Sequence, residues 1–357
     1  MKNTIESYSL TRRNNFDFIR FVAAVLVVIS HSFPLSLGNN LREPLMILTK
    51  GQLTLGTMAV DIFFIISGFL ITQSYDRSNN FIRFIKARVL RIYPALIVVV
   101  FLSAFILGPI VTSLSITDYF RSYQTYRYLT SAFIFHALSN NLPGVFSNNI
   151  YAPAVNGSLW TLAYEFKFYL LVGFLGLTRI LNRKTVLALF LLSFASSIFL
   201  TTHKGLMQYC HLLNFYSAGM LIYLAREYIP LNIKLAFTSF VLLLISCFIG
   251  HLQDVSVFCG SYFIMYFAFN TRLNLSNFAK YGDFSYGVYI FAFPVQQTII
   301  HFFGGSMAYP ILIFLYSLPI VLLCAILSWH LVEKVALQLK SYKILSYSRR
   351  FPWVDRF

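Results

Sequence analysis

The sequence predicts an all-α, polytopic membrane protein with about ten transmembrane helices and both termini cytoplasmic. Three observations carry that expectation. Hydrophobic residues fill 58% of the 357 positions and charged residues only 11%, against about a quarter charged in a soluble domain. Mean hydropathy is +0.69. The apolar residues also fall into runs near the ~20 residues that a bilayer crossing needs, and the loops between them carry the basic residues. The abundant phenylalanine and tyrosine suit lipid-facing and interfacial positions. A net charge of +16 invites a nucleic-acid reading, but orientation rules and anionic lipid account for cations in short loops, so no nucleic-acid partner is expected.

The spans are expected at about 15–35, 53–73, 92–112, 158–178, 185–202, 206–225, 234–251, 255–270, 284–303 and 310–332. The polar, basic stretch before the first lacks a small-residue cleavage site, so span 1 reads as a retained anchor. Orientation follows from the loops. Lys2, Arg12 and Arg13 precede span 1, and Arg77, Arg83, Lys86, Arg88 and Arg91 lie between spans 2 and 3. Arg179, Arg183, Lys184, Arg226, Lys234, Arg272 and Lys280 follow spans 4, 6 and 8. Lys334, Lys340, Lys343, Arg349 and Arg350 follow span 10. All fall on one side if the count is ten, and the positive-inside rule makes that side cytoplasmic. Arg42, Lys50, Arg121, Arg127 and Lys204 are the exceptions. Residues 1–340 read as one integral-membrane domain and 341–357 as a short basic tail. The outward segment 113–157 holds an apolar run, Tyr128 to Leu138, too short to span; a re-entrant element and a surface loop are both open. There is no internal repeat. Cys210, Cys247, Cys259 and Cys324 have no zinc-site spacing, and no metal is expected.

Span 1 is the most informative, because it carries ionisable groups where they are costly. Arg20 and His31 are eleven residues apart, about three turns, so they share a helix face roughly 16 Å long. Asp17 sits one turn before Arg20, where the two can pair. Counting depth at ~1.5 Å per residue brings Asp61 of span 2 and Glu165 of span 4 to a level similar to that of His31. A histidine beside a carboxylate is the arrangement of a general base. Arg20, Arg88 and Arg91 form a basic rim suited to phosphates at the cytoplasmic end. Each piece also has a plain structural reading. A lone histidine can be an interhelical hydrogen-bond donor, Arg88 and Arg91 orientation residues, Asp61 a partner for a structural cation, and Ser67-Gly68 a close-packing step.

Five stretches in order, FDFIRFVAAVLVVISHSF, VDIFFIISGFLI (60–71), RVLRIYP (88–94), SLWTLAYEFKFY (158–169) and GDFSYGVYIFAFPVQ (282–296), resemble the acyltransferase 3 family of integral-membrane acyltransferases, marked by an arginine, ten residues and a histidine. The resemblance implies transfer of an acyl group, usually acetyl, from cytoplasmic acyl-CoA to a hydroxyl of an extracytoplasmic or lipid-linked carbohydrate, in a bacterial cell membrane. It implies His31 as catalytic residue with Arg20 as its motif partner, CoA-facing Arg88 and Arg91, and site roles for Ser67, Gly68 and Glu165. Glu165 or Asp61 is then expected to orient His31, with Trp160 or Tyr164 stacking on a sugar. His31 either takes the acceptor's proton or carries the acyl group itself. Two departures stand out. Ala292 occupies a position where many members have histidine, and the chain ends soon after span 10, so the transfer is expected to be completed within the membrane domain. The competing class is a transporter or flippase for a lipid-linked sugar or small anion, which the lack of repeated halves disfavours.

Overall fold

The computed structural model describes residues 4–9, 13–130, 141–151, 153–199, 204–270, 275–304 and 309–340. The tail 341–357, residues 131–140 of the outward segment, and Lys2, Arg12 and Arg272 lie outside the described residues. Among those described the chain is nearly all helical, with isolated bridges and no strand. The long helices are α1 (Phe16–Leu37), α2 (Leu55–Ser78), α3 (Phe81–Leu102), α4 (Trp160–Leu177), α5 (Arg183–Phe199), α6 (Lys204–Leu224), α7 (Ile233–Ile249), α8 (Ser261–Phe269), α9 (Ser285–Phe303) and α10 (Pro310–Ser328). Among the described residues five continuous helical stretches are long and apolar enough to cross a membrane: Phe16–Leu37, Leu55–Ser78, Phe81–Val111, Leu252–Phe269 and Pro310–Gln338.

Local chemistry sets the helix ends. The side chains of Thr54, Asn80 and Asn232 accept hydrogen bonds from backbone N–H groups at the starts of α2, α3 and α7, satisfying donors that have no partner within the helix. Gly38 closes α1 at φ 76°, and its N–H reaches the Pro34 carbonyl, a left-handed stop that glycine adopts without steric cost. α3 continues through a wide turn at Ser103–Leu107, and there the Tyr119 hydroxyl donates to the Ala104 carbonyl at 2.7 Å. The outward segment adds two short helices, Ile116–Arg121 and Tyr123–Leu129. Asn149 and Asn156 pin its far end to α9 by hydrogen bonds to the carbonyls of Gln297 and Ile290.

α2 is the hub, packed against α1, α4 and α6. It meets α6 backbone to backbone, since a Cβ on Gly68 would lie 1.9 Å from the Tyr216 carbonyl oxygen and one on Gly219 would lie 2.1 Å from that of Ile65. This is small-residue packing, the means by which helices associate where apolar burial between them gains nothing. Gly68→Val should therefore destabilise the fold by roughly 3 kcal/mol, read as a lower melting temperature in detergent. Unchanged melting would mean that the contact carries no weight. A second seam of small residues, Ala24 and Val28 of α1, Val288 and Ala292 of α9, Val321 and Ala325 of α10, is fully buried. Large apolar side chains such as Phe101, Leu192, Phe237, Phe248 and Leu323 stay exposed around the outside, the surface a bilayer covers.

Candidate active site

The charged end of α1 is built around Asp283, in the turn before α9. Its Oδ2 accepts from Arg20 at 3.0 Å and from Arg91 of α3 at 2.5 Å, and its Oδ1 accepts from the Ser285 hydroxyl and N–H. Arg91 also reaches Glu333 at 3.2 Å; Glu333 is buried just beyond α10 and accepts from Ser328. Two guanidiniums and two carboxylates thus neutralise one another and join α1, α3, α9 and α10. Burial pushes the Asp283 carboxyl up, but Arg20, Arg91 and the Ser285 hydrogen bonds outweigh it and hold the group well below the usual carboxylate range. The ion pair of Arg20 is with Asp283 rather than Asp17, the partner its spacing allows.

Next to this junction is a cavity of about 280 Å³. Arg20, Ser67, Arg88, Arg91, Glu165 and Lys340 line its charged end, while Val60, Phe63, Leu162, Thr161 and Tyr289 line the other. Glu165 accepts from the Tyr169 hydroxyl and, at 3.4 Å, from Ser67. Arg88 differs from its neighbours. Its Nη2 reaches the Ser74 hydroxyl at 3.4 Å and its guanidinium lies 5.9 Å from the Phe84 and Tyr169 rings. Its buried Nε has no hydrogen-bond partner, and no described carboxylate lies within ion-pair distance. Lys340 stands at the mouth, where burial and the nearby Arg88 pull its pKa down. Unpaired positive charge in a concave, partly dry site attracts an anion.

The structure therefore brings Arg20, Ser67, Arg88, Arg91 and Glu165 to one cavity. It does not bring His31, Asp61, Gly68, Trp160 or Tyr164 onto the cavity wall. His31 shares with Arg20 the α1 face that packs on α9, its ring edge-on to Phe293 at 5.3 Å and its buried Nδ1 without a hydrogen-bond partner. The cavity ends at Tyr289, one turn before Phe293. Neither carboxylate expected to orient the histidine does so. Asp61 accepts from or is paired with His211 of α6 at 2.8 Å, and Glu165 belongs to the charged end. The reason is azimuth. Asp61, Ile65 and Gly68 recur at i, i+4 and i+7 and face α6, whereas Val60, Phe63 and Ser67 form the cavity stripe. Gly68 is a packing residue beside a cavity residue. Trp160 and Tyr164 touch each other edge-on at 5.8 Å, and Tyr164 leans on Tyr209, while Thr161, Leu162, Glu165 and Tyr169 take the cavity side of α4. Among the described residues no group of three histidine, cysteine or carboxylate side chains is arranged to hold a metal ion.

Sequence reasoning missed Asp283, Glu333, His211, Tyr169, Tyr289 and Lys340. Asp283 and Tyr289 do lie inside one of the quoted stretches, and a buried arginine in a span demands a carboxylate partner somewhere. The family model described as acyltransferase domain matches residues 13–329. An O-acetyl transferase of Shigella phage Sf6 is 32% identical over 346 residues, 93% of this chain and 98% of the relative. Nodulation protein 10 of Rhizobium leguminosarum bv. viciae is 38% identical over 167 residues, 46% of this chain and 44% of that protein. No solved structure matches significantly. With a family match across nearly all of its helical body, the chain belongs to the acyltransferase 3 family and is a membrane acyltransferase.

Proposed function

We propose that this chain is an O-acetyltransferase of a bacterial cell membrane, moving acetyl from cytoplasmic acetyl-CoA to a hydroxyl of a cell-surface or lipid-linked carbohydrate. The proposed topology has ten spans with both termini cytoplasmic, residues 1–340 forming one domain and 341–357 a basic tail. The name of the phage relative supports the O-acetyl chemistry. The observation that carries the donor assignment is Arg88, a half-buried cation at the charged end of the cavity without a carboxylate and with a buried, orphaned N–H. Nucleotide phosphates satisfy both needs. About 280 Å³ is at the low end for a drug-sized ligand, so the cavity takes the acyl end and part of the thiol arm, leaving the nucleotide at the mouth by Arg88 and Lys340.

In this reading the acyl end lies among Val60, Phe63, Thr161 and Tyr289. His31, half-buried beyond Tyr289, takes the proton of the acceptor hydroxyl as that oxygen attacks the thioester carbonyl. The neutralised Arg20–Asp283–Arg91–Glu333 junction holds α1, and so His31, in register with the cavity. An acyl-histidine trapped by rapid quenching would replace the one-step route with a two-step one.

Purified protein incubated with labelled acetyl-CoA and candidate glycans should place label on the glycan. Movement of unmodified substrate across vesicles without labelling would overturn the enzyme reading in favour of transport. Arg88→Ala should weaken CoA binding about tenfold or more, the scale of a charge-assisted contact to phosphate, with kcat at saturating donor little changed. A loss confined to acceptor affinity would place Arg88 outside the donor site.

A further inference from the structure

The far end of the cavity carries a pair of hydroxyls that helix packing does not use up. Thr161 Oγ1 of α4 and Tyr289 Oη of α9 lie 2.6 Å apart, and both residues are buried and on the cavity wall. Two hydroxyls own two hydrogens, and the bond between them consumes one. Among the described residues neither side chain makes another hydrogen bond. Whichever of the two donates, the other keeps a free O–H. A buried O–H without an acceptor is costly, so one left in a folded protein needs an explanation.

The surroundings narrow the choice of acceptor. Val60, Phe63 and Leu162 share this end of the cavity, and the Phe63 ring stands edge-on to Tyr289 at 5.8 Å. A permanent anion would be poorly housed there, whereas a neutral oxygen that gains charge only during reaction fits. The cations are all at the opposite end.

We propose that the Thr161–Tyr289 hydroxyl pair is the oxyanion site of the transferase, binding the carbonyl oxygen of the donor thioester. The inference rests on the donor reading of the cavity. As the acceptor oxygen bonds to the carbonyl carbon, its proton passes to His31 and the carbonyl π pair moves onto the oxygen facing the pair. The free O–H donates to that oxygen, where charge develops. Collapse restores the carbonyl and breaks the C–S bond, and the sulfur leaves with the proton from His31 as free thiol.

The test compares turnover with binding in the purified full-length protein. Tyr289→Phe and Thr161→Val should each lower kcat at saturating acetyl-CoA about tenfold, and the double variant about 10²–10³-fold, the effect of removing an oxyanion donor. The Kd for CoA itself, which lacks the thioester carbonyl, should change less than threefold. Thr161→Ser keeps the hydroxyl and should turn over at least threefold faster than Thr161→Val. Equal rates for Thr161→Ser and Thr161→Val, a double variant within threefold of wild type, or a loss residing in CoA affinity would each overturn the assignment. If the double variant fails to fold, the serine–valine comparison at position 161 decides alone. Wild-type protein that binds no CoA overturns the donor reading itself, and this inference with it; wild type that binds and turns over while the variants match it overturns only the hydroxyl pair.

Discussion

Replacing His31 with alanine should lower acyl transfer by about 10²–10⁴-fold, the contribution of a positioned general base, while leaving expression, membrane insertion and CoA affinity unchanged. The separation follows from position. His31 is half-buried against Phe293 with an unused, buried ring nitrogen, so its removal breaks no hydrogen bond of that nitrogen, and it is off the wall of the cavity that holds the cations. The readouts are transfer of labelled acetyl to glycan and a CoA titration of the same preparation. Transfer at near wild-type rate would remove His31 from the mechanism; normal chemistry with lost CoA affinity would move it into the donor site.

Asp283→Asn should be the most damaging single change to the fold. It leaves the guanidiniums of Arg20 and Arg91 with one carboxylate, Glu333, in place of two. Removing one partner of a buried ion pair costs about 3–5 kcal/mol, because the remaining charge stays desolvated. The melting temperature in detergent should fall by many degrees, and a shift within a degree or two would show that the junction is not what joins α1 to α9. The pH dependence has a definite sign. The folded-state carboxyl is held below its ordinary value, so its stabilisation is complete above the unfolded value near ~4 and is lost only as the pH falls below that. Wild type should then show no loss from this group between pH 5 and 8, and the variant should be weak throughout that range.

Composition made the helical membrane class readable, and among the described residues five helical stretches are long and apolar enough to cross a membrane. The active-site layout was readable only in part. Arg20, Arg88, Arg91 and Ser67 converge as cations and a polar group at one level, which counting residues along a helix can find, whereas Glu165, which the same counting puts level with His31, lies with them instead. Asp61 does not join His31, because depth is one coordinate and direction around the axis is another. Asp61 and Ser67 are six residues apart, about 120° by the shorter way around the helix at 100° per residue, and here Ser67 lines the cavity while Asp61 turns to His211 of α6. That angle was available in the sequence. The identity of the neighbours was not, since which helix faces Asp61 is decided by the Gly68–Gly219 crossing, a long-range pairing that periodicity does not encode. Asp283 was hidden for the same reason, lying 263 positions from Arg20.

The seam of Ala24, Val28, Val288, Ala292, Val321 and Ala325 leaves no room at position 292 for an imidazole. It also seals α1, α9 and α10 to one another along these six side chains, so in the proposed reaction a lipid-tethered acceptor would not reach His31 by passing between those three helices at this level.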